Sequence, residues 1–177
     1  NLFFYLCILT VLPSYAQNAV HYYFKTMDIR NGLSQNTVYQ ILQDRKGFMW
    51  FGTKDGLNRY DGLSYRVYKK ENSGLGKNFI TALYEDHEGN IWIGTDGGVF
   101  IYNPVLDSFT AFNQMSDKGT VIKDFVTMIG SDEYDNIWIS VENQGLFCYN
   151  HEKRLWNYLH DSGMSNVARF WLNESTC

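Results

Sequence analysis

Asn36, Asn78 and Asp124 recur in one register, each fourteen residues before a tryptophan (Trp50, Trp92 and Trp138). Carboxamide and carboxylate groups repeated in this way place donors and acceptors at matching points, which is what binding a hydroxyl-rich ligand requires. Around them stand residues that differ from copy to copy: Lys54, Asp55, Lys77, Asp96, Lys123, Glu142 and Asn143. Differences between copies suit an asymmetric site, and drift in exposed loops produces them too. Asn and Asp are also ordinary turn residues, so turn capping stands beside ligand binding as a reading of the three recurring positions. No catalytic residue is assigned. The four histidines (His21, His87, His151 and His160) hold no repeated or paired position. No pair of carboxylates can be set at glycosidase separation from the sequence. Cys7, Cys148 and Cys177 form no CxxC pair, so neither a metal site nor a disulfide framework is expected. Cys148 reads as a small buried apolar residue. No cofactor is expected.

The elements that must position these groups are legible as a repeat. Trp50, Trp92 and Trp138 are 42 and 46 residues apart. Asp44, Asp86 and Asp132 each stand six residues before a tryptophan. Gly52 and Gly94 stand two residues after theirs, and Tyr60 and Tyr102 ten after. Tyr149 stands eleven after, because Glu142-Asn143-Gln144-Gly145 carries one extra residue. A period of about 40–50 residues marks a solenoid or a propeller.

The period inside each unit chooses between the two. VYQILQD, ITALYED and VTMIGSD are apolar runs of strand length. FMWFGT, NIWIGT and NIWISV follow, apolar on both faces, as strands buried on both sides are. LNRY, VFIY and LFCY come next. SYRVYKK, SFTAFNQ and RLWNYLH alternate more and read as exposed outer strands. Four strands per unit, stacked face to face, are propeller blades. The tryptophans lie in the two-sided strands and are expected in the core, not on a sugar-stacking surface. Tyr22, Tyr65, Tyr68, Phe109 and Trp156 lie on outer strands, where blade packing and a homodimer interface both remain open.

The turns agree. Asp44–Gly47 and Asp86–Gly89 fit Asp-x-x-Gly type I turns. Asp135 stands where the third copy should have Gly, a position that a left-handed-tolerant Asp can fill. Asp55-Gly56 and Gly97-Gly98 suit tight hairpins, because both positions can take positive φ.

The chain has 177 residues, a net charge of −4 and 17% aromatic residues. That balance argues against direct nucleic-acid contact, which needs a basic stripe. Residues 1–16 read as a secretory signal peptide without its basic start: an apolar run, Pro13, then a small-residue cleavage site before Gln17. Residues 17–177 read as a partial β-propeller. Its blades span approximately 34–70, 76–115 and 122–160, and 162–177 begins a further blade. HYYFKTMD (21–28) resembles a spare outer strand. Three blades leave large faces uncovered, so the fold expected is all-β, a fragment of a larger propeller, taken as seven-bladed.

EDHEGNIWIGTDGGVFIYNP and QDRKGFMWFGTKDGLNRYDG resemble the two-component regulator propeller repeat. Its pattern runs Asp-x-x-Gly-x-Leu-Trp-Ile-Gly-Thr-x-x-Gly-Leu-x-x-Tyr. GSDEYDNIWISVENQGLFCYN resembles it too, departing at Asp135, Ser140, Val141 and the extra residue. The resemblance covers about residues 20–172. It implies a periplasmic sensor of a hybrid two-component system, tuned to oligosaccharides and anchored through its parent in the inner membrane. Its partners would be the remaining blades and the signalling domains. A non-catalytic role is implied for this chain. A propeller-type lyase, a glycan-processing enzyme and an interaction scaffold are the alternatives, because propellers host all of them.

Overall fold

A computed structural model describes residues 22–112 and 121–150, together with the strand Leu155–Leu159, whose side chains are not described. The signal peptide expected at residues 1–16 and the further blade expected at 162–177 lie outside the described residues. Among the described residues, twelve strands form three antiparallel four-stranded sheets. The first holds β1 (Val38–Gln43), β2 (Met49–Thr53), β3 (Gly56–Tyr60) and β4 (Tyr65–Tyr68). The second holds β5 (Ile80–Glu85), β6 (Ile91–Thr95), β7 (Gly98–Asn103) and β8 (Ser108–Ala111). The third holds β9 (Val126–Ser131), β10 (Ile137–Val141), β11 (Gly145–Asn150) and β12 (Leu155–Leu159). Each sheet runs in chain order from its first strand to its fourth. Inner strands β1, β5 and β9 are neighbours from sheet to sheet, as blades about a common axis require.

Two apolar cores lie between the sheets. Trp50, Leu57 and Tyr68 of the first sheet meet Ile80, Ile91, Ile93 and Tyr102 of the second. Trp92, Val99, Ile101 and Phe112 meet Val126, Ile137, Ile139, Phe147 and Tyr149 of the third. Trp50 and Trp92 are 1% exposed, so they are core residues. Trp138 is only half-buried, because no described sheet covers its side of β10.

The glycines two residues after Trp50 and Trp92 have a steric cause. A Cβ on Gly52 would stand 2.8 Å from Ile80 Cγ2, and one on Gly94 2.7 Å from Val126 Cγ1. Each sheet thus approaches the next at the start of its inner strand. In the third copy the position is Ser140, whose Oγ lies 2.9 Å from Thr127 Oγ1.

The Asp turns form with Gly47, Gly89 and Asp135 at φ 87, 86 and 59. The expected hairpins form at both positions. Positive φ falls on Gly56 and Gly98 alone, and Asp55 and Gly97 keep negative φ. The reason is that β2–β3 pairing closes at Thr53 with Gly56, and β6–β7 at Thr95 with Gly98. The glycine therefore follows the two-residue loop instead of sitting inside it. Residues 22–28 form no strand in the described structure, and Tyr23 and Phe24 are 95% and 96% exposed. A strand needs a ladder partner, and β4 already occupies the outer edge of the first sheet. Cys148 is fully buried, as expected, and disulfide-bonded, which corrects the expectation that the cysteines form no disulfide. Its partner lies outside the described residues.

Candidate functional site

Each Asp carboxylate organises one turn and one tryptophan. Asp44 Oδ1 accepts from Lys46 N and Phe48 N, and Oδ2 accepts from Trp50 Nε1 at 2.8 Å. Asp86 repeats this with Asn90 N and Trp92 Nε1, both at 2.8 Å. Asp132 accepts from Tyr134 N, Asn136 N and Trp138 Nε1. Burial pushes the Asp132 carboxyl up, and donors from Asn136 and Trp138 outweigh it, leaving the group below its ordinary range. A carboxylate whose lone pairs are committed in this way is a structural part. These turns share one edge of the sheets. There Arg45 reaches from the first sheet to the second, pairing with Glu85 at 2.9 Å and donating to the His87 carbonyl at 2.7 Å.

The opposite edge gathers the lead-in loops and the β2–β3, β6–β7 and β10–β11 hairpins. Gly56 N donates to Asn78 O at 2.7 Å, joining the first hairpin to the second lead-in. Lys54 N donates to Gln35 Oε1. Glu142 N donates to Phe125 O at 2.8 Å. All ten residues with candidate binding roles lie on this edge. Lys54, Lys77, Asp96, Lys123, Glu142 and Asn143 are exposed there. Asp55 pairs with Lys69 Nζ at 2.6 Å. Lys77 lies along the second hairpin, its Cε 2.5 Å from where a Cβ on Gly97 would stand.

The three recurring positions separate by side chain. Asn36 Oδ1 accepts from Ile29 N at 2.9 Å, and Asn78 Oδ1 from Lys70 N at 2.8 Å. These two carboxamides hold the segment seven or eight residues upstream, so they shape the lead-in loops. Asp124 is reached differently. Its backbone N–H and that of Lys123 donate to Gln144 Oε1 at 3.1 and 2.9 Å. Gln144 also donates to Val121 O. The extra residue of the third hairpin, with Asn143 at φ 59, thus brings in a glutamine that ties down the lead-in. The first copy has its own tie. Asn58, fully buried, exchanges hydrogen bonds with Ser34, and Ser34 Oγ lies 2.9 Å from Thr53 Oγ1.

The sequence reading missed a cluster of aromatic rings on this edge. Tyr39 lies 4.8 Å from Phe79, and Phe79 lies 5.6 Å from Phe125, ring centre to ring centre. Lys54 Nζ stands 5.9 Å from the Phe79 ring centre. Phe79 and Phe125 directly follow Asn78 and Asp124 and precede the inner strands. Tyr39 enters through a β-bulge, where the β1–β2 register shifts between Val38 and Gln40. Bulges re-aim side chains beside functional sites. The one available signal was two phenylalanines at matching positions just ahead of the first strand. Among the outer-strand aromatics, Tyr68 packs on Trp50, Tyr102 and Phe109, which resolves it as blade packing. Among the described residues, no group of three or more His, Cys, Asp or Glu could hold a metal ion.

Residues 32–55 and 74–97 match the two component regulator propeller family. A 54-residue stretch, 30% of the chain, is 44% identical to histidine kinase P4 of Formosa agariphila and covers 4% of that protein. The fold is similar to the extracellular domain of a putative hybrid two component system from B. thetaiotaomicron. The TM-score is 0.68 and the identity 29%, over 76% of this chain and 20% of that one. The chain therefore spans about a fifth of the solved relative's length. The two matched stretches lie in the first and second sheets.

Proposed function

We propose that this chain, built from two-component regulator propeller repeats, is part of an extracytoplasmic ligand-sensing propeller. It senses an oligosaccharide at the edge holding the lead-in loops and hairpins. It relays occupancy to a histidine kinase outside these residues. The observation that carries this reading is the pairing of repeat matches at 32–55 and 74–97 with likeness to the extracellular domain of a putative hybrid two component system. The identity with a histidine kinase over 54 residues supports the same setting. Asn36, Asn78 and Asp124 would shape the site, and Lys54, Lys77, Asp96, Lys123, Glu142 and Asn143 would supply its polar groups, with Asp55 braced by Lys69. The role assigned to the chain is binding, with no chemical step.

The test uses the protein encoded by the complete reading frame. It is titrated with defined oligosaccharides while thermal stability and histidine phosphorylation are followed. Stabilisation by a saccharide, with a change in phosphorylation and no turnover of the sugar, is the expected result. A ligand that binds only the native state raises its stability by mass action. Release of shorter or unsaturated sugar products would establish the enzyme alternative instead. A reading frame without a kinase would remove the relay.

A further inference from the structure

We infer that Tyr39, Phe79 and Phe125 form an aromatic contact site for a pyranose ring, an inference that rests on the saccharide-sensing role proposed above. The three rings come from three successive sheets, at 4.8 and 5.6 Å between centres, the first pair tilted by 58° and the second set edge to face at 84°. Tyr39 is 46% exposed, and Phe79 and Phe125 are half-buried, so ring area remains open beside the contacts they make with one another. Their neighbours are polar. Lys54 stands over Phe79, Asp124 precedes Phe125, and Asp96 N donates to the Phe79 carbonyl.

A pyranose has an apolar C–H face and an edge of hydroxyl groups. A cluster of aromatic rings flanked by an ammonium and carboxylates complements both. A purely apolar occupant would leave Lys54, Asp96 and Asp124 desolvated without partners, which is unfavourable. The bulge that delivers Tyr39 also points this way. The same register shift occurs in β5 at Thr81 and in β9 at Thr127, yet only the first copy places an aromatic there. The cluster is thus asymmetric about the axis, running Tyr, Phe, Phe.

The test measures saccharide affinity and thermal stability of the full-length protein and of its variants. The probes are cellohexaose, xylohexaose, mannohexaose, laminarihexaose and a galacturonate hexasaccharide. Phe79→Leu and Phe125→Leu keep apolar volume and remove the π face. Each is expected to weaken binding of the responding sugar about ten-fold, the loss of one aromatic contact, with little change in melting temperature. Phe79→Tyr is expected to keep the affinity. Saturation-transfer NMR should place the sugar's ring protons against aromatic protons in the wild type and lose that transfer in the Leu variants. If a sugar binds and drives phosphorylation but the Leu variants bind it equally well, the aromatic contact site is wrong and the sensing role stands. If no probe binds the wild type, both fall.

Discussion

The Asp86 carboxylate accepts from Asn90 N, from Asn90 Nδ2 and from Trp92 Nε1, and it is 1% exposed. Removing it leaves a buried indole N–H and a turn amide without acceptors. An unsatisfied buried group costs about 1–3 kcal/mol, so Asp86→Ala should lower unfolding free energy by roughly that amount. Denaturant titration checks this. In an Asp86→Ala background, Trp92→Phe should lose less than in the wild type, because the shared bond is already gone. Asp132 adds a pH dependence. Its folded pKa lies below the ordinary carboxylate value near 3.9, because donors from Asn136 and Trp138 outweigh burial. A depressed folded pKa contributes stability that is fully present above the unfolded value. That stability is lost as pH falls through the folded value. Melting temperature should therefore fall on acidification below about pH 4. Asp132→Asn should flatten that fall, which a series of melts from neutral pH downward would read.

At the scale of elements, the close approach of one sheet to the next decides which residues the second strand can carry. A Cβ on Gly94 would lie 2.7 Å from Val126 Cγ1 and 2.9 Å from Ala82 Cβ. Gly94→Ala overpacks that contact and should cost about 1–3 kcal/mol. Val126→Ala in the same background should return part of it, while costing stability on its own. The outcome that would sink this account is a Gly94→Ala protein as stable as the wild type. The third Asp turn offers the opposite change. Asp135 holds φ 59 where Gly47 and Gly89 stand in the other copies. Asp135→Gly relieves a left-handed conformation and should raise stability by up to about 1 kcal/mol. Thermal melts of the single variant decide it.

At the scale of the molecule, the second sheet is the only one of the three with a described core on each face. Among the described residues, nothing covers the outer side of the first sheet, where Ile41 is 59% exposed. In a stack, stability is close to a sum of units and the interfaces between neighbours. Amide hydrogen exchange on the 177-residue chain should therefore be slowest in β6 and β7. The first and third sheets should exchange faster. In the full-length protein the first sheet is expected to slow toward the second, if a neighbouring blade covers it. Equal protection of all three sheets in the short chain would contradict the stacking account. Trp50→Ala, at the first interface, should cost about 3–5 kcal/mol.

Features that depend on neighbours along the chain are legible in the order of residues. The spacing of Asp44, Asp86 and Asp132 from their tryptophans encodes a turn and its bond to the indole. Two-sided apolar runs encode the buried second strands. Four such runs per period encode a blade. Local backbone chemistry and burial suffice for each of these, so they read directly from residue types. The candidate site was legible only as an edge. The loops around Asn36, Asn78 and Asp124 do converge, because successive antiparallel strands must return to the same side. The tertiary structure alone decided which groups face outward. It turned the Asn36 and Asn78 carboxamides back onto Ile29 and Lys70. It used a one-residue bulge to bring Tyr39 against Phe79. It set the Phe79 and Phe125 rings 5.6 Å apart although they are separated by a whole blade. A bulge and a contact between blades depend on how sheets are stacked. No spacing along one chain specifies that stacking, because it is settled by side chains meeting across space.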